Sequence, residues 1–439
     1  MMKPQLSLHF QTRTPSSIRL AQIEFLKRTD HIGAVNTAIG NVSLPMHPSM
    51  IKRMFSLNAP ESPFQQGVVK YSTTVGETEA NKAFLHLIEC SGFSVDGVYS
   101  QITDGGSQAM ELAILGVCGP AGSGKKPLLI FDPTYTNYYS MAERTGRSTV
   151  AVTRNLGENG KFLIPKLSDI ERVIQESDPA ALLVIPYDNP TGQFFPQETL
   201  NELGKICVKY NLWMISDEAY RDVFYTHGQT SSIWGVTEKM VPGITGRRIS
   251  IESASKIWDA CGLRIGALAT DNKDFHQKAV AENTANLCAN VIGQYIFGAL
   301  LHESKDQLQA WFQHQRTYYH QIATTLTSNL KKEIPKLIVS SPDAALYTVV
   351  DVRNMFGAHF DATDFVMYCA QKGQVQIKGV KKTLLVAPMD GFYSSRPDQA
   401  NPGKTQMRIA YVEPPEIMAE VPKLFAQLLS DFSKNRPLE

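Results

Sequence analysis

The stretch Arg248–Thr270, RISIESASKIWDACGLRIGALAT, sets two apolar runs of strand length, Arg248 to Glu252 and Ile265 to Thr270, on either side of a short polar segment. That segment carries Ser253, Lys256 and Arg264. A hydroxyl and two cations this close are able to hold a phosphate, and a lysine is also able to act as a nucleophile. Taken alone the pattern is weak, because most lysines after a strand are solvated surface charges. Its value depends on what stands after the other strands.

Working outward, PLLIF (Pro127 to Phe131), AALLVI (Ala180 to Ile185) and LWMIS (Leu212 to Ser216) are further runs of strand length. Between the last two, PQETLNELGKICVKY (Pro196 to Tyr210) repeats Leu200, Leu203, Ile206 and Cys207 at helical spacing, with proline in the first turn. Strand, helix, strand alternation predicts an α/β fold with a mostly parallel sheet covered on both faces. Ligands of such sheets sit beyond the carboxyl ends of the strands. After Cys288 the pattern gives way to a long helical stretch, Asp306 to Ile334, and then to two more strand-like runs, ALYTVVDV (Ala345 to Val352) and MRIAYV (Met407 to Val412). A change of domain is expected near residue 310.

Composition narrows the function. Lys and Arg number 43 against 42 Asp and Glu, a net charge of +1, so bulk charge points to neither nucleic acid nor an acidic membrane. The six cysteines (Cys90, Cys118, Cys207, Cys261, Cys288, Cys369) contain no CxxC pair, which argues against a zinc ribbon or a disulfide framework, and no metal is expected. The N-terminal residues lack the apolar core of a signal peptide, and no segment approaches the roughly 20 apolar residues of a membrane span. A cytoplasmic protein is expected.

Polar residues do follow the strand-like runs. ITDGGSQAMELAI (Ile102 to Ile114) puts Gly106, Ser107 and Gln108 ahead of an apolar run that suits a helix, and free amides at a helix start bind anions. YDNPTG (Tyr187 to Gly192) offers Asn189, though a structural turn explains the same letters. SDEAYRDVFY (Ser216 to Tyr225) places Asp217 and Tyr220 three apart on one side of a helix or turn. A carboxylate at a buried strand end needs a cationic partner, unless it is only a cap or a salt bridge. One ligand employs them all: pyridoxal phosphate needs a lysine for its Schiff base, a carboxylate at its ring nitrogen, donors at its ring oxygen, a stacking aromatic and a phosphate cup.

At these residues the chain resembles the class I/II aminotransferases of fold type I. The resemblance runs from about Asn36 to the end of the chain in consistent order. It implies a large domain on a mostly parallel seven-stranded sheet and a smaller α+β domain, with residues 1–45 an N-terminal segment packing on the small domain, 46–309 the large domain and 310–439 the small one. It implies that Lys256 carries pyridoxal 5'-phosphate, that Ser253 and Arg264 bind its phosphate with Gly106, Ser107 and Gln108, and that Asp217 partners the ring nitrogen. Asn189 and Tyr220 then bond the ring oxygen, and Tyr135 of DPTYTNY stacks on the ring. Tyr71 of YSTTVG falls where a tyrosine reaches the neighbouring subunit's phosphate, which implies a homodimer.

Arg408 of QMRIAYVEPPE falls where the substrate α-carboxylate binds, with Asn189 beside it and Gly40 of NTAIGNVSLP on a segment that closes over the substrate. The implied activity is a ping-pong exchange between an amino acid and a 2-oxo acid, with aspartate and 2-oxoglutarate the leading pair. Aromatic, alanine or broad-range donors, or a lyase on the same scaffold, stay open. A transcription regulator on this fold would need a DNA-binding domain, for which the residues before Asn36 are too few. Two places depart from the commonest pattern: Gly106 stands where serine or alanine is frequent, and DACGLR precedes Arg264 with no role evident for Cys261.

Overall fold

Fourteen strands organise the computed structural model, which describes residues 4–357, 360–394 and 400–434. After β1 (Gly33–Asn36), the next seven form one sheet: β2 (Tyr99–Asp104), β3 (Leu128–Asp132), β4 (Thr149–Thr153), β5 (Ala181–Val184), β6 (Trp213–Asp217), β7 (Arg248–Ser253) and β8 (Ile265–Thr270). Their spatial order is β2-β8-β7-β6-β5-β3-β4. Neighbours from β7 to β4 are parallel, while β8 runs antiparallel to both β7 and β2. Every residue of β3, β5 and β8 is buried. Coverage of both faces by helices accounts for the unbroken apolar runs of these strands. The two strands that the apolar runs do not single out, β2 and β4, are the two edges; β4 is half-exposed along most of its length.

The helix expected over Pro196–Tyr210 spans Gln197–Lys209, with Pro196 as its N-cap in extended backbone rather than in its first turn. An N-cap residue is non-helical, so proline costs nothing there. The long helix is Lys305–Glu333, opened by a capping box between Ser304 and Gln307. It passes through residue 310 without a break.

Beyond it lie β9 (Ile338–Val339), β10 (Tyr347–Asp351), β11 (Val375–Ile377), β12 (Val380–Leu385), β13 (Ala387–Pro388) and β14 (Gln406–Ala410). They form a four-stranded sheet, β13-β14-β10-β9, and a three-stranded one, β1-β12-β11, in which β1 pairs with β12 in parallel. We propose the division 1–45, 46–309 and 310–439 as the domain plan; the pairing of residues 33–36 with 382–385 supports grouping the N-terminal segment with the small domain.

One close approach fixes the geometry of the large sheet's functional edge. Gly266, on β8, sits opposite Ser253 of β7 and Thr103 of β2. A Cβ there would stand 2.5 Å from both the Gly105 carbonyl carbon and the Gly106 amide nitrogen. Those atoms are backbone and cannot swing aside. Gly266→Ala is therefore expected to lower unfolding free energy by about 1–3 kcal/mol in a denaturant titration. Gly262→Ala, where a Cβ meets nothing within 4 Å, is the control and should change it by under about 0.5 kcal/mol. Equal effects would show that the approach is not tight.

Candidate active site

The carboxyl ends of β2, β3, β5, β6 and β7 share one edge of the sheet, and the antiparallel run of β8 brings its amino end, just after Arg264, to that same edge. A cavity of about 690 Å³ opens there. Its wall includes Gly106, Ser107, Tyr135, Asn189, Asp217, Tyr220, Ser253, Lys256 and Arg264 from the ends of the large sheet's strands and the segments after them, together with Gly40 from the loop after β1 and Arg408 from β14. Of the residues singled out from sequence, these eleven come together.

Two do not line it. The Gln108 side chain turns back to accept from the Asp104 amide at 2.7 Å and to donate to Asn283 at 2.9 Å, so only its backbone amide is left for a ligand. Tyr71 is 78% exposed on the surface of the single chain. Among the described residues, no group of three or more His, Cys, Asp or Glu is placed to hold a metal.

At one end, helix Gly105–Val117 begins at the cavity. The first amides of a helix have no partners within it and carry the positive end of its dipole. Gly105 takes φ +73, and a Cβ on it would lie 2.4 Å from an Arg264 guanidinium nitrogen. Glycine thus lets the cation lie against the helix start. Arg264 is itself left-handed (φ +56) and donates to Cys261 O at 3.1 Å and Asp104 O at 3.5 Å. Helix amides, guanidinium and the Ser253 hydroxyl make a cup suited to a phosphate.

In the middle, Asp217 ends β6 half-buried. Its Oδ2 accepts from the Tyr138 hydroxyl at 2.5 Å and its Oδ1 from the Ala219 amide at 3.0 Å. Burial raises its pKa, the Tyr138 hydrogen bond opposing. No cation pairs with it among the described residues, so the expected partner is one the site still has to receive. A protonated ring nitrogen fits that place. Tyr138, buried on helix Asn137–Arg144, escaped the sequence reading although it stands three residues after Tyr135, whose ring it meets edge-on at 5.5 Å.

At the other end, Arg408 on β14 is 2% exposed. It donates from Nη1 to Asn189 Oδ1 at 2.8 Å and from Nη2 to Ala38 O at 2.6 Å, while its Nε has no partner among the described residues. Because Asn189 spends its carbonyl on Arg408, its amide nitrogen is the end left to donate. The guanidinium carbon lies 4.4 Å from the centre of the Tyr347 ring and 5.1 Å from that of Phe392. Tyr347, also absent from the sequence reading, shares a 2.7 Å hydrogen bond with Tyr220. Gly40 serves by being small: a Cβ there would meet the Tyr347 hydroxyl at 2.2 Å. Its carbonyl accepts from Lys256 Nζ at 2.5 Å.

A fold of this topology, with a lysine, a carboxylate, a phosphate cup and a buried arginine around one cavity, defines a pyridoxal-phosphate enzyme of fold type I. The profile of the family described as aminotransferase class I and II matches residues 46–385, and the chain belongs to that family. Members use pyridoxal 5'-phosphate. Gly40 and Arg408 lie outside the matched stretch. An aspartate aminotransferase of Pinus pinaster is 28% identical over 212 residues, 47% of this chain and 40% of that protein. One of Thermotoga maritima is 25% identical over 66% of this chain and 71% of its own length. The solved aspartate aminotransferase of Thermus thermophilus with maleate has the same fold, with a TM-score of 0.78 at 20% identity over 97% of this chain and 100% of its own.

Behind Lys256, Asp259 is held by Gln315 (2.7 Å) and Tyr319 (3.4 Å) of the long helix, and burial pushes its pKa up to about 7. Its φ is +52, a conformation Asp and Asn both tolerate. Since the folded pKa lies above the unfolded value of about 3.9, the folded chain holds a proton the unfolded chain has lost. This group's stability contribution is therefore full below about pH 4 and is lost as pH rises through about 7. Melting temperature should fall from pH 5 to pH 8, and Asp259→Asn should make that fall shallower. An unchanged slope would assign the pH dependence elsewhere.

Proposed function

We propose that the chain transfers the amino group of an L-amino acid to a 2-oxo acid by a ping-pong cycle, with aspartate and 2-oxoglutarate as the pair. The observation that carries the reading is Arg408: a buried guanidinium that, among the described residues, has an unpaired Nε and no carboxylate of its own, lining the same cavity as the Lys256 amine. The cofactor, when bound, supplies an aldehyde that bonds an amine and a protonated ring that takes up the electron pair left at the substrate α-carbon.

The chain's own side chains do the rest. Arg264, Ser253 and the helix amides at Gly106 and Ser107, with that of Gln108, hold the phosphate. Asp217 keeps the ring nitrogen protonated, and Tyr138 keeps Asp217 in place. Asn189 and Tyr220 donate to the ring oxygen, and Tyr135 covers the ring. Arg408 grips the α-carboxylate with its planar fork, which fixes the α-carbon so that the bond to be broken is presented to the ring face. Lys256 would hold the cofactor, and its amine when free would be the base that takes the α-proton and returns it. Its hydrogen bond to Gly40 O gives the free amine a resting partner.

We further propose a homodimer in which Tyr71 reaches the neighbouring site. Support comes from the exposure of Val68, Val69 and Tyr71 along one segment, an apolar run that a partner surface would cover. Among the described residues no helix is long and apolar enough to cross a membrane, which supports a cytoplasmic setting.

The test is an absorption titration of the cofactor-loaded protein with single amino acids and no oxo acid. Conversion of the bound cofactor to its amine form supports transamination, whereas product released without an acceptor supports a lyase. Lys256→Ala is expected to lower turnover by at least about 10⁴-fold. Arg408→Ala should lower kcat/KM for amino acids by about 10²-fold or more while changing cofactor affinity by less than about threefold. Wild-type rates in either variant would remove that residue from its role.

A further inference from the structure

Four cationic side chains line the cavity, Arg19, Lys256, Arg264 and Arg408, against one carboxylate, Asp217. The proposed function gives three of the four a partner: the cofactor carbonyl, its phosphate and the substrate α-carboxylate. Arg19 is left over. It stands on helix Ser17–Phe25, and its neighbours Ser16 and Ile18 line the same wall.

This helix start is held over the cavity by packing. Ile18 and Ala21 are buried. Just past the helix, Arg28 donates to the carbonyls of Gly373 at 3.0 Å and Cys369 at 3.4 Å, tying the segment to helix Ala362–Gln371 and the residues after it. The Arg19 guanidinium, by contrast, is exposed, and its hydrogen bond is a long one, 3.4 Å to Gln22 of its own helix. Among the described residues it forms no ion pair. Its charge and that of Arg408 both act on the Tyr135 phenol, which burial pushes up to about 12 and the two arginines draw back. Arg19, Tyr135 and Arg408 all line the one cavity.

We infer that Arg19 is a specificity-determining residue that binds the distal carboxylate of a dicarboxylic amino or oxo acid whose α-carboxylate is held by Arg408. The inference rests on the transaminase reading and assigns the residue that recognises the side chain of its dicarboxylate pair. An arginine suits the task because its planar donors take a carboxylate through two bonds, and because an exposed guanidinium stays solvated when a shorter donor leaves it unused. Selectivity then comes from attraction to the second carboxylate rather than from exclusion of neutral side chains.

The experiment compares the holoenzyme with its Arg19→Gln and Arg19→Lys variants. For each, kcat/KM is measured for aspartate and glutamate and divided by that for alanine and 2-aminobutyrate. The glutamine variant is expected to lower this ratio by about 10- to 100-fold, the loss of one charge-assisted carboxylate contact, with the lysine variant recovering part of it. Calorimetric titration of succinate against butyrate gives a readout independent of turnover, and the glutamine variant should weaken succinate about tenfold relative to butyrate. A ratio that moves by less than about twofold, or a wild-type enzyme that prefers neutral or aromatic donors, overturns the assignment. If no amino acid converts the bound cofactor, the transaminase reading fails; the succinate-to-butyrate comparison still decides whether Arg19 is a carboxylate site.

Discussion

The active edge depends on the single antiparallel strand in an otherwise parallel sheet. Were β8 parallel to β7, its first residue and the Arg264 before it would sit at the opposite edge, far from the loop that carries Lys256. Running the other way, β8 returns the chain at once to where β7 ended, with Ser253 opposite Gly266. A loop of few residues then presents Ser253, Lys256 and Arg264 together. The same strand pairs with β2, so that Asp104 lies opposite Ile265 and helix Gly105–Val117 starts beside Arg264. Gly266 and Gly105 are the cost of this arrangement in side-chain freedom, since each stands where a Cβ would collide.

A buried ion network behind the same strands holds their ends in register. Ser216 of β6 pairs with Ser250 of β7, and the two donate at 2.8 Å to Glu218 and Glu252 respectively. Arg221 binds Glu252 through two bonds, 3.0 and 2.8 Å, and reaches Glu218 at 3.4 Å. All three charged groups are buried, and burial next to a second carboxylate raises the pKa of Glu218 despite the arginine. Alternation along a strand puts Ser216 and Glu218 on one face and Asp217 on the other, with Ser253 likewise opposed to Glu252. The pleat therefore separates a structural charge cluster from a functional one. Such a cluster adds little net stability, but breaking one member leaves an unmatched buried charge, so it acts mainly by fixing position.

Much of this was legible in the letters because parallel sheets write their ligands after their strands. The apolar runs marked β3, β5, β6, β7 and β8, and the polar residues behind them supplied most of the cavity wall. The edges β2 and β4 were hidden for different reasons: β4 is only half-buried along most of its length, while β2, though buried in its middle, sets polar Ser100, Gln101 and Thr103 around a lone Ile102. Tyr138 and Tyr347 were hidden for another reason. Each works by touching a neighbour, Asp217 in one case and Tyr220 in the other, and a tyrosine that supports a functional group looks like any core aromatic in sequence. Gln108 shows the converse: it stands at the predicted helix start, but its side chain caps the helix that its amide opens. Arg19 had no local signal at all, since only the fold brings the N-terminal helix to the cavity.

The two arginines proposed to face the substrate differ most in burial, and that difference would divide their work. Arg408 lies between Tyr347 and Phe392, where burial draws its pKa down, and its Nε, without a partner among the described residues, would stay costly until a carboxylate arrived. A contact made in so little solvent is strong and insensitive to salt, which suits the group every amino acid shares. Arg19 is exposed to water and screened, so its attraction is weaker and falls with ionic strength. In a ping-pong cycle one site must accept two different side chains in turn while never losing the α-carboxylate. A buried cation for the constant group and an exposed one for the variable group would meet both demands, because releasing the side chain would then cost little while the α-carbon stays where Lys256 can reach it.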